Sequence, residues 1–145
     1  MPLLFHWRGE NYRDDRRRGE AFTYNLNQNS PTMHRTELGD TIWAFTRRED
    51  GVYVLAVRGV IEDLSKNEPG FKYGKYRVSL DPKQTIYFNV DAGPDVEPVI
   101  RSLSITTEAP VLGNAFVGPA GVRKITEADN NKLEEFVRHL RSPAV

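Results

Sequence analysis

Hydrophobic residues change their spacing several times along the chain, and each change predicts an element. The opening LLFHW is apolar and aromatic enough for a short strand buried early in a sheet. GENYRDDRRRGEAF breaks that pattern. Its charges lie between Tyr12 and Phe22 without a 3.6-residue period, bracketed by Gly9 and Gly19, which supports a short helix or an ordered loop. The stretch NLNQNSPTMHRTE from residue 25 is polar, and reads either as a plain loop or as the rim of a binding site.

From Asp40 the pattern sharpens. TIWAFTR is rich in β-branched and aromatic residues, Asp50-Gly51 supplies a tight turn, and VYVLAVRGVIE continues as a second long strand, so a β-hairpin is predicted. Alternation puts Ile42, Ala44 and Thr46 on one face and Trp43 and Phe45 on the other. Both faces carry apolar groups, so the hairpin either sits centrally in a closed barrel or lines a pocket with its aromatic face.

Residues 63–75 carry Pro69, Gly70 and Gly74 without periodicity and read as a loop; YRVSL and QTIYFNV read as further strands separated by Asp81-Pro82. PVIRSLSI fits a strand or a mixed turn. Near the C-terminus, Thr126 with Asp129 three residues later is a capping-box-like start, and Leu133, Phe136, Val137 and Leu140 form one apolar stripe of a helix ending at Ser142-Pro143. The expected architecture is α+β: a curved β-barrel of five to six mostly antiparallel strands with peripheral helices, including the C-terminal one.

Composition narrows the function classes. The 145 residues are enough for one domain, 1–145, and no linker or repeat divides them. Hydrophobic residues at 39% and charged residues at 28% fit a folded globular chain. There is no apolar run long enough for a membrane span, and the apolar part of MPLLFHWRGE is too short for a signal peptide, so a cytoplasmic protein without a membrane partner is expected. Cysteine is absent, which removes thiol chemistry. Lys+Arg and Asp+Glu balance at 20 each, so any polyanion must be held by a local patch and not by bulk charge.

No nucleophile elbow, phosphate loop, zinc-protease or calcium-loop motif is present, and His6, His34 and His139 have no metal-ligand spacing; no cofactor or metal is expected. The glycines of GNAFVGPAGVRKIT lack dinucleotide-loop spacing, leaving Asn114 and Arg123 as candidate polar contacts. A site for an unpaired base needs aromatic walls, amides for the base edge and cations for flanking phosphates. Trp7, Trp43 and Phe45 are candidates for the first, and Asn25, Asn27, Gln28 and Asn29 for the second, with Ser30 and Asn114 as further polar contacts to the base. Arg16, Arg17, Lys72, Lys75 and Arg77 are candidates for the third.

The order of these features resembles the PUA-like β-barrels: LLFHW, a polar segment to Leu38-Gly39-Asp40, TIWAF, VYVLAVRGVIE with Val60-Ile61-Glu62, a variable loop, KYRVSLDP and a C-terminal helix. Within them it is most similar to the EVE and YTH group, with ASCH domains as relatives. That resemblance implies a nucleic-acid-binding module that takes a base, modified or not, into an aromatic-lined pocket, alone or with a separately encoded effector protein. It carries Trp7, Asn27 to Ser30 and Trp43 over as pocket residues. The alternatives are a small ASCH-like nuclease or modified-nucleoside hydrolase using Lys72, Tyr73, Lys75 and Arg77, and a protein-interaction domain with an exposed apolar patch.

Overall fold

The computed structural model describes residues 1–9, 12–13, 25–28, 32–33, 36–70, 75–105, 109–116 and 121–141, the backbone alone for 25–28 and 141. Among the described residues seven strands follow in chain order: β1 (Leu3–His6), β2 (Asn25–Gln28), β3 (Thr41–Arg47), β4 (Tyr53–Lys66), β5 (Tyr76–Leu80), β6 (Ile86–Tyr87) and β7 (Val122–Lys124). Two helices, α1 (Glu97–Arg101) and α2 (Glu127–Arg141), lie in the C-terminal part, with 3-10 turns at Val90–Ala92 and Leu112–Ala115. Six strands lie in the order β2-β5-β4-β3-β1-β7, and β6 pairs with β4 off that path.

The sheet is mixed. β1 runs parallel to β3, with Leu4 opposite Trp43 and His6 opposite Phe45, and every other pairing is antiparallel. Among the described residues β2 and β7 are its two ends and do not pair, so the expected closed barrel is not seen; the architecture is an α+β mixed sheet with a C-terminal helix. Curvature comes from β4, which serves two neighbours in turn: its first half pairs with β3 and its second with β5. The register shifts at Ala44/Phe45 and again at Ile61/Asp63, where bulges bend the strand.

Strand β4 extends to Lys66, so the segment read as loop from residue 63 begins as strand. The Asn25–Gln28 stretch is an edge strand on β5 and not a loop. QTIYFNV contributes only the two-residue β6 before the turn at Val90, and PVIRSLSI begins within α1, its Pro98 placed in the first helical turn, where its missing N–H takes nothing from the helix.

Both faces of the sheet are covered. Leu3, Phe5, Ile42, Ala44, Val57 and Ile61 join Trp7, Tyr12, Val78 and Leu80 in one core. Leu4, Trp43, Phe45, Tyr53 and Leu55 form the other with Ile100, Leu103, Leu112, Phe116, Leu133 and Val137, mostly from the helical segments. Burial on two faces explains why β3 reads as a nearly unbroken apolar run.

The C-terminal helix is anchored at its start. Thr126 Oγ1 accepts from the Asp129 N–H (3.0 Å) and Asp129 Oδ2 from the Thr126 N–H (3.1 Å), a reciprocal cap. Buried Asp129 also accepts from the Ser104 N–H (2.9 Å) and hydroxyl (2.6 Å), linking the segment after α1 to α2. Arg58 lies over the Trp43 ring at 5.5 Å and pairs with Glu134, clamping α2 against β3 and β4.

Candidate functional site

Beyond the end of β1 the chain turns at Arg8, whose carbonyl accepts from the Tyr12 N–H at 2.8 Å. That turn approaches the β3–β4 hairpin so closely that a Cβ at Gly9 would lie 2.5 Å from the Arg47 carbonyl oxygen and 3.0 Å from Arg13 Nη1. Only glycine fits there. The hairpin turn is itself pinned: the Arg48 N–H donates to Val52 O (2.9 Å), the Gly51 N–H to Arg48 O (2.9 Å), and Gly51 takes a φ of +90°. Asp50 Oδ1 accepts from the Val52 N–H and from Arg48, and these bonds hold its carboxyl below the usual aspartate range.

Between these segments and the turn at Leu112–Ala115 lies an open cleft of about 810 Å³, within the size range of ligand sites. Arg8, Arg13, Arg47 and Arg48 line it against two carboxylates, Glu49 and Asp50, with His6, Tyr53, Gly113 and Asn114 on its inner side. A chain without net charge therefore concentrates cations at one place.

The arginines are not equivalent. Arg48 is committed to structure, donating to the carbonyls of Val90 (3.3 Å), Asp91 (3.2 Å) and Gly93 (3.0 Å) as well as pairing with Asp50. Arg47 is exposed, lies over the Tyr53 ring at 5.6 Å and makes one long bond to Gly51 O (3.4 Å). Arg13 Nε faces Glu49 Oε1 at 3.4 Å.

The inner wall is aromatic but enclosed. His6 stacks on Phe45 (centroids 5.0 Å apart) and meets Tyr53 edge-on (5.7 Å). The Gly113 N–H donates to the Tyr53 hydroxyl oxygen at 3.0 Å, and a Cβ on Gly113 would fall 2.6 Å from His6 Cε1. Burial, reinforced by the charges of Arg8 and Arg47, pushes the His6 imidazole down to a pKa of about 4, so the ring is neutral at pH 7. Its Nε2 is enclosed with no partner among the described residues. The cleft thus presents guanidinium groups and an exposed Asn114, with chemistry suited to anionic oxygens.

The residues singled out from sequence fall into separate places. Of the described aromatic and amide candidates only Asn114 lines the cleft; Phe45 lies behind it, backing His6, and the Trp7 backbone N–H donates to Phe45 O (2.8 Å). Trp7 itself is 9% exposed and packs edge-to-face on Tyr12 in the first core, and Phe45 is fully buried, so neither ring is open for stacking. Asn27 pairs across from Arg77 at the β2–β5 edge; Arg77 is exposed, as is Lys75, whose Nζ lies 5.6 Å over the Tyr76 ring.

Trp43 does not line the cleft. It is 0% exposed beneath α2, and its indole N–H donates to Asn130 Oδ1 at 2.8 Å. The expectation that it walls a pocket gives way to a core position, because α2 covers the face that carries it. Arg123 likewise serves the fold, donating to Ile105 O (3.3 Å) and lying over the Phe116 ring. Asn29, Ser30, Arg16, Arg17, Lys72 and Tyr73 lie outside the described residues.

Sequence reasoning missed Arg8, Arg13, Arg47 and Arg48. Signals existed in Arg47-Arg48 beside the Asp50-Gly51 turn and in Arg8 next to Trp7, but only the parallel β1–β3 pairing brings the two together. Among the described residues no group of His, Cys, Asp or Glu side chains is placed to hold a metal ion, and no helix is long and apolar enough to cross a membrane. A scan of protein-family models finds no match to the chain, and no curated protein matches it.

Proposed function

We propose that this chain is a nucleic-acid-binding module of PUA-like type, holding the sugar-phosphate backbone of an unpaired strand in the arginine cleft. The observation that carries the reading is the cleft itself: four arginines against two carboxylates in a chain whose total charge is zero. The order of elements supports the PUA-like part of the proposal, with Gly39-Asp40 at the entrance to β3 and Val60-Ile61-Glu62 within β4. The Gly39 N–H donates to Ile61 O (2.8 Å) and the Ile61 N–H to Asp40 O (2.9 Å), so these two sequence landmarks are one structural feature.

In this reading the arginines hold the phosphates flanking an unpaired base, and the exposed amide of Asn114 on the cleft wall is the group that meets the base edge. The finer claim is that the base is a modified one. Equilibrium binding of short single-stranded DNA and RNA oligonucleotides, with and without base modifications, tests both levels. Binding that weakens on Arg47→Glu supports the module, and a preference among modified bases supports the finer claim. Failure of every oligonucleotide to bind better than micromolar contradicts both.

A further inference from the structure

Glu49 and Arg13 meet across the cleft in a loose contact. The Arg13 guanidinium lies against Gly9, where a Cβ would come within 3.0 Å of Nη1. Glu49 rides on a turn locked by the Arg48–Val52 and Gly51–Arg48 backbone bonds and by Asp50. Yet the contact between them is a single 3.4 Å approach, longer than a strong charge-assisted bond, between side chains that are 40% and 80% exposed. An exposed pair of this kind is weak and readily exchanged.

We infer that Glu49 is a built-in competitor for the phosphate site: its carboxylate occupies Arg13 until a nucleic-acid phosphate displaces it. The inference rests on the nucleic-acid reading of the cleft. A phosphate group offers a guanidinium more acceptor oxygens than this one-point carboxylate contact does, and can take it in a two-bond geometry. Displacement requires only rotation of the Glu49 side chain, since the turn that carries it is held by its own backbone bonds. Asp50 cannot play the same part, being tied to Arg48 and to the Val52 N–H. The carboxylate therefore lowers the affinity of the cleft for any anion that must displace it from Arg13.

The test is a double-mutant cycle read by fluorescence anisotropy, with a labelled single-stranded oligonucleotide of about 10 nucleotides as probe. Glu49→Gln is expected to tighten binding about 2- to 5-fold in the wild-type background, the range expected for release of an exposed ion pair. In the Arg13→Gln background the same change is expected to give no gain. A gain of equal size in both backgrounds reduces Glu49 to a long-range charge effect and overturns the inference. An unchanged affinity for Glu49→Gln in a chain that binds the probe also overturns it while leaving the nucleic-acid reading in place. No binding by either the wild type or Glu49→Gln removes that reading, and the competitor with it.

Discussion

The indole N–H of Trp43 donates to Asn130 Oδ1 at 2.8 Å, joining the central strand of the sheet to the C-terminal helix across 87 positions of sequence. With Arg58, its cross-strand neighbour, lying over the ring and paired to Glu134, Trp43 is the seam between sheet and helix. Trp43→Phe is therefore expected to destabilise the fold by roughly 2–3 kcal/mol, from lost burial and an Asn130 left without its donor. Chemical denaturation measures this. Oligonucleotide affinity of the folded variant is expected to stay unchanged, in contrast to a pocket tryptophan.

The Asp129 carboxylate closes the helix cap and holds the segment after α1 in one stroke. Asp129→Ala removes acceptors for the Ser104 and Thr126 N–H groups and is expected to cost roughly 2–3 kcal/mol. Burial pushes this carboxyl up, but the Ser104 and Thr126 hydrogen bonds outweigh it and leave the net shift downward. The folded state therefore releases the proton more readily than the unfolded chain. The stability this contributes is fully present above the ordinary aspartate range and is lost as pH falls through the lowered value. Denaturation midpoints of the wild type and Asp129→Ala are expected to converge on acidification.

These two contacts show how much of the structure was legible. The cap could be read because Thr126 and Asp129 stand three residues apart before an apolar stripe, and the hairpin because two runs rich in β-branched and aromatic residues flank Asp50-Gly51. The helix stripe was read almost in full: Leu133 and Val137 are buried and Phe136 half-buried, while Leu140, at the fraying end, is 38% exposed. What alternation cannot tell is which of two apolar faces a helix will cover, so Trp43 and Phe45 were placed at a pocket when they lie in a core. The arginine cleft was illegible for a different reason. Its parts come from Arg8, Gly9 and Arg13, from 47–51 and from the turn at Gly113 and Asn114; the first two meet through the parallel β1–β3 pairing and the third through the Gly113–Tyr53 hydrogen bond, all distant in sequence.

The His6 imidazole, stacked on Phe45 and backed by Gly113, is expected to titrate near 4 and not near 6.5 in an NMR pH titration of its ring resonances. Between these values the unfolded chain binds a proton that the folded chain does not, so stability rises with pH from about 4 to about 6.5 and is lost as pH falls through that window. The loss amounts to about 3 kcal/mol at most. Arg8→Gln removes one of the charges that depress the imidazole and is expected to move its titration upward.

Gly113→Ala places a methyl 2.6 Å from His6 Cε1. Overpacking of this kind is expected to cost roughly 1–3 kcal/mol and to shift the His6 ring away from Phe45. The thermal midpoint reports the first effect and the His6 ring resonances the second.

The central claim is that the arginines of the cleft hold nucleic-acid phosphates, and its most direct test is the salt dependence of oligonucleotide binding. Plots of log affinity against log salt concentration, for the wild type and for the Arg8→Gln, Arg47→Gln double variant, are the measurement. The account predicts weaker binding by the variant and a shallower slope, by about 0.7 for each single-strand phosphate contact removed. Equal affinity and equal slope for the two proteins would contradict it.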